Sequence, residues 1–228
     1  MKDDMTYNEI EQVKLYVSQF IFTLQSYAKQ NGILLNQSDM GFFTLISKHI
    51  LFFKYMYQDN RMGRFYKVLI SDCYYYILSI IKGESRYMYV NERSIIENYL
   101  RLIINKTVEQ DHITEKVFQE VKKQSFLFDF TEADFSLLKS EYVTACGYIH
   151  GSKVIDDDLS FVFCECIKTD NEFKDKNKYY IRIQKILKIF DNMLLSTYKD
   201  DVSGAFHRRK SLLEYLIGKN CVNLLFTR

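Results

Sequence analysis

Three residues have the types and spacing to do chemistry together: Arg93, Glu97 and His150. Arg93 and Glu97 stand four apart in the string RYMYVNERSIIENYLRLIIN, residues 86–105. At 100° per residue, Tyr89, Ile96, Leu100 and Ile104 make one apolar stripe. Arg93 falls inside that stripe and Glu97 on its edge, while Asn91, Ser94, Asn98 and Asn105 take the opposite, solvent-like face. A charge on a core-facing stripe must be paired or must line a cleft, because an unpaired buried charge is costly. Two readings fit. One is an i,i+4 ion pair that orients packed helices. The other is a polar cleft whose planar guanidinium donates several bonds to a phosphate. His150, in YVTACGYIHGS, lies at the edge of a face shared with Val143, Cys146 and Ile149. It either closes a helix, its charge set against the dipole, or serves as a general acid/base near neutral pH. Tyr142, Tyr148 and Ser152 are hydroxyl candidates beside it.

A second cluster is His207, Arg208, Arg209 and Lys210. Four basic residues near a helix N-terminus oppose the dipole. They read as a solvated run or as a nucleic-acid contact to phosphate. The strings Tyr74-Tyr75-Tyr76, Phe42-Phe43 and Phe52-Phe53 read as core and interface aromatics. The chain has no P-loop, GxGxxG, HExxH or EF-hand loop, and no Gly-x-Ser-x-Gly elbow. No metal site and no cofactor are expected.

These groups need long elements to hold them. Proline is absent from all 228 residues and glycine occurs eight times, a composition that suits long helices with short connections. Helices are expected over 7–30, 38–57, 62–81, 86–106, 114–124, 131–150, 178–198 and 206–217. Capping boxes are expected at Thr6/Glu9 and Thr131/Asp134, and Ser38 or Asp39 as the cap of the second helix. Residues 159–167 fit a short helix or a strand, and 221–226 a terminal tail that packs. The fold class is therefore all-α: one domain over 1–228, a bundle of about seven to nine helices.

Net charge is +2, from 31 basic and 29 acidic residues, too balanced for nucleic-acid binding by the surface as a whole. Cys73, Cys146, Cys164, Cys166 and Cys221 include no CxxC pair and read as reduced thiols. The first residues are polar and acidic, unlike a signal peptide. The apolar stretches 41–53 and 68–81 are too short to span a bilayer. A cytoplasmic location without membrane partners is expected.

The strings ERSIIENYLRLI and YVTACGYIHGS resemble small HEPN-type helical proteins of prokaryotic abortive-infection and other anti-phage systems. The resemblance covers about residues 86–152. It implies an all-α, often homodimeric protein, and for many members a metal-independent ribonuclease. In those the active site pairs an Arg and a His with four to six residues between them. This chain departs from that pattern: the arginine position before His150 holds Val143, Thr144 or Ala145, and before His207 it holds Asp200, Asp201 or Val202. The resemblance thus implies a defence or toxin-type protein acting on RNA, with Arg93 replacing the missing arginine, His150 as acid/base and Glu97 as orienter. The alternative is a non-catalytic helical interaction or regulatory subunit with a helical protein partner.

Overall fold

The computed structural model describes residues 2–59, 63–104, 115–123, 131–150, 160, 175–223 and 225, with the side chains of 2–7, 58, 59 and 150 left aside. Ten helices and no strand are found among these residues. In chain order they are α1 (Lys2–Gln30), α2 (Gln37–Asp59), α3 (Gly63–Lys82), α4 (Ser85–Ile103) and α5 (Glu115–Lys123). Then come α6 (Glu132–His150), α7 (Lys176–Thr197), α8 (Lys199–Ala205), α9 (Lys210–Ile217) and α10 (Lys219–Asn223). The all-α reading holds, with slightly more helices than expected. The surplus comes from the C-terminal end, where short α8 and α10 flank α9.

Local chemistry explains several boundaries. Asn36 and Asp39 cap α2 reciprocally: the Asn36 amide donates to Asp39 Oδ2 at 2.9 Å, and the Asp39 amide to Asn36 Oδ1 at 2.9 Å. Thr131 and Asp134 do the same for α6, at 3.0 and 3.1 Å, as the sequence suggests. The Thr6/Glu9 box does not start a helix, because α1 is already helical from Lys2. Gly32, with φ 69°, gives the left-handed turn that ends α1. Residues 105–114, which include His112 and Asn105, lie outside the described residues, as do 156–158 and all of 159–167 but Ser160.

The buried side chains join in one cluster. At its centre is α2, which packs against α1, α3, α7, α8 and α9. Phe43, Phe52 and Phe53 of α2 are fully buried. Phe53 meets the edge of Tyr99, whose ring stacks on Phe190 at 4.3 Å. A second layer is built on α4, which packs against α3, α6 and α7, while α5 rests on α6 through Phe118, against Phe135 and Tyr142. The aromatic pairs of α2 are core, as expected. The tyrosine run of α3 divides: Tyr76 is buried, Tyr74 and Tyr75 exposed. Among the described residues no helix is long and apolar enough to cross a membrane. Cys73, Cys146 and Cys221 are free thiols.

Helix α4 departs from the face drawn from its sequence. Met88, Glu92, Ile95, Asn98, Tyr99 and Leu102 are buried along with Tyr89, Ile96 and Leu100. The expected solvent face is instead a seam with α3: Ser94 Oγ donates to Asp72 Oδ2 at 2.7 Å, and Asn98 Nδ2 reaches the same oxygen at 3.3 Å. Burial raises the Asp72 pKa, and these two bonds oppose the rise. Two packed faces leave Arg93 at an edge of the apolar arc, half-buried, rather than at its middle.

Candidate functional site

Helices α4 and α6 run antiparallel. Tyr142 of α6 stands level with Glu97 of α4, while Ile149 stands level with Arg86, whose Nη2 donates to the Ile149 carbonyl at 3.4 Å. Glu97 organises the seam. Its Oε1 accepts from Arg93 Nε at 2.8 Å and from the Tyr142 hydroxyl at 3.0 Å, and its Oε2 accepts from Arg101 Nη2 at 3.1 Å. The Arg93 guanidinium also lies 5.8 Å from the centre of the Tyr142 ring. Burial, then the Glu97 carboxylate, pushes the Tyr142 hydroxyl pKa well up, so the phenol is a neutral donor. One carboxylate thus holds two guanidinium groups and a phenol in place. Replacing Glu97 by Ala strands three partly buried donors and should cost about 1–3 kcal/mol of unfolding free energy. Urea unfolding measures it, and a loss within error of zero would show that water replaces the carboxylate.

Arg93 and Glu97 are therefore together, as their spacing suggests. Cys146, half-buried, lies close enough to Arg93 for their charges to interact. His150 is the last residue of α6, one turn past Cys146, so its backbone is about 6 Å further along the axis. Its side chain lies outside the description. The arginine level with this end of α6 is Arg86, which the sequence reading passed over. Tyr148 stacks on Tyr89 at 4.0 Å, part of its ring exposed.

The basic run sits between α8 and α9, far from a uniform patch. Arg209 Nε donates to Glu9 Oε2 at 2.9 Å, its Nη1 to the Ala205 carbonyl at 3.4 Å, and its guanidinium lies over Tyr55. It ties α9 to α1. Lys210 Nζ is 3.9 Å from Glu214. His207 and Arg208 are exposed, Arg208 with φ 61° in the turn. Half of the run is thus occupied by the chain's own carboxylates.

Two buried polar clusters escaped the sequence reading. In the first, Glu92 of α4 accepts from the Tyr179 hydroxyl at 2.5 Å, and Tyr179 is bonded in turn to Tyr76. Arg182 Nε donates to Glu141 Oε1 at 2.5 Å and its guanidinium lies 5.6 Å from the Tyr179 ring centre. Burial, reinforced by Glu141 and opposed by Tyr179 and Arg182, raises the Glu92 pKa to about 8. Glu92 is hence mostly protonated at neutral pH. The signal was available: Glu92 is one turn before Ile96 and shares its side of the helix. In the second cluster, His49 of α2 bonds Asp191 of α7 at 3.1 Å through Nε2 and the Leu45 carbonyl at 2.9 Å through Nδ1. Both ring nitrogens face acceptors, which requires the imidazolium form. Cys221 is nearby, but its thiol pKa is pushed up to about 12, by burial first and Asp191 second. With His49 having no nitrogen to spare, this is no Cys–His nucleophile.

No family model matches this chain. No curated protein and no solved structure matches it either. Among the described residues no group of three or more His, Cys, Asp or Glu side chains is arranged to hold a metal ion.

Proposed function

We propose that this is an HEPN-like protein acting on RNA as a metal-independent ribonuclease, with the α4–α6 seam as its centre. The observation that carries the reading is Glu97 accepting from Arg93, Arg101 and Tyr142 together, on a helix packed against the one that ends at His150. In this reading Arg93 neutralises charge on the scissile phosphate, Glu97 fixes the guanidinium, and His150 takes the 2′-hydroxyl proton. The 2′-oxygen then bonds to phosphorus, the bond to the 5′-oxygen breaks, and water supplies the proton to that leaving oxygen. Such a step needs a base and a preorganised cation and nothing more.

The deciding experiment is cleavage of labelled RNA in EDTA by wild type, His150→Ala and Arg93→Ala, with helicity checked by circular dichroism. Each folded variant should lose about 10²–10⁴-fold in rate. Wild type without activity, with and without candidate partners, turns the assignment to the second reading, a non-catalytic helical interaction subunit. That reading has an observation of its own. Phe22 of α1, Tyr75 of α3 and Tyr87 of α4 are 69%, 60% and 62% exposed, and a partner that covered any of them would bury aromatic surface.

A further inference from the structure

The structure has a cavity of about 360 Å³ between α2, α7 and the segment that joins α9 to α10. Its walls are Leu45, Leu187 and Ile217. Its floor is the His49–Asp191 pair, buried to 2% exposure on each residue. Among the described residues Asp191 Oδ1 has no hydrogen-bond partner. The rim carries Lys188, Lys219, Gln184 and Asn220, all exposed. Among the described residues neither Lys188 nor Lys219 has a carboxylate within ion-pair distance, whereas seven other lysines do. Lys188 is near enough for its charge to act on the Cys221 thiol in the same cavity. Gly218 leaves the mouth open, since a Cβ placed on it would meet nothing within 4 Å.

The sum of these charges selects the ligand. His49 and Asp191 cancel, so the two rim lysines leave the cavity positive. A positive mouth over aliphatic walls favours an organic anion. The carboxamides of Gln184 and Asn220 each offer a donor and an acceptor, which suits a ring with a mixed polar edge. Ammonium groups from two different elements suit a phosphate, which takes charge-assisted bonds on several oxygens. We infer that this cavity binds a small phosphorylated molecule of mononucleotide size, its ring between Leu45, Leu187 and Ile217 and its phosphate at Lys188 and Lys219. The site is separate from the α4–α6 seam and does not depend on any ribonuclease activity there.

Equilibrium dialysis of the full chain against AMP, GMP, CMP and UMP tests this, with adenosine and inorganic phosphate as the two half-ligands. At least one mononucleotide should bind, one per chain, with a Kd below about 1 mM and about tenfold tighter than either half-ligand. Lys188→Gln with Lys219→Gln should weaken it about tenfold or more with helicity unchanged, since both side chains are exposed. Gln184→Ala with Asn220→Ala should change the ranking of the four bases. If none of the four binds at about 5 mM, or if binding survives loss of both lysines, the site is not there.

Discussion

Asp191→Ala should be among the most destabilising single substitutions in this protein, at about 3–5 kcal/mol by urea unfolding. The Asp191 carboxylate is buried and bonds a buried imidazolium at 3.1 Å, so truncation strands a charge rather than merely deleting a contact. Exchanging both partners for leucine should recover most of the loss, because an apolar pair of similar volume needs no compensating charge. The pair also sets a pH dependence. Burial alone lowers the His49 pKa, but the Asp191 carboxylate and the Leu45 carbonyl outweigh it and leave the folded value raised. A raised folded pKa stabilises fully below the unfolded value of about 6.5 and less as pH climbs through the folded one. The stability difference between wild type and His49→Leu should therefore be widest near pH 6 and shrink towards pH 9. A gap that widens instead would mean that His49 is neutral in the folded chain.

Glu92→Gln should have the opposite character and stabilise the protein in alkaline solution. The Glu92 carboxyl titrates near 8 in the fold against an ordinary 4.5. Between those values the unfolded chain loses this proton and the folded chain keeps it, so folding weakens as pH rises. The full effect is at most about 5 kcal/mol. A glutamine keeps an oxygen for the Tyr179 hydroxyl and never ionises, so the variant should overtake wild type as pH passes from 5 to 8. Tyr179→Phe removes the one hydrogen bond that favours the carboxylate form and should steepen the wild-type decline. Parallel stability curves for wild type and Glu92→Gln over that range would place Glu92 in contact with water.

The elements of this fold were legible because their signals are local. The Thr131/Asp134 box, the left-handed turn at Gly32 and the 3.6-residue spacing each act within one or two turns, and the start of α6, the end of α1 and the span of α5 follow them closely. What failed was the assignment of faces on α4. A single wheel supposes one core and one solvent side, whereas α4 packs against α3, α6 and α7. Ser94 and Asn98 are polar because Asp72 of α3 needs donors, not because water does. The Arg93–Glu97 pair was readable from i,i+4 spacing. The His49–Asp191 pair spans 142 positions, and nothing in either residue's neighbourhood names the other. Glu92 and Glu141 were overlooked for a related reason: glutamates on helices are ordinarily solvated, and only tertiary burial makes them unusual.

The central place of α2 also has a consequence for synthesis. Chains fold from the N-terminus as they leave the ribosome, at about 5–20 residues per second. Helices α2, α3 and α4 meet early, since they are neighbours in sequence. Among the described residues, the side of α2 that carries His49 and Phe52 is covered by α7, α8 and α9, more than a hundred positions later. For some seconds the nascent chain therefore displays a strip of phenylalanines beside an unpaired histidine. Such a strip invites chaperone capture, and the late C-terminal helices must then compete for it.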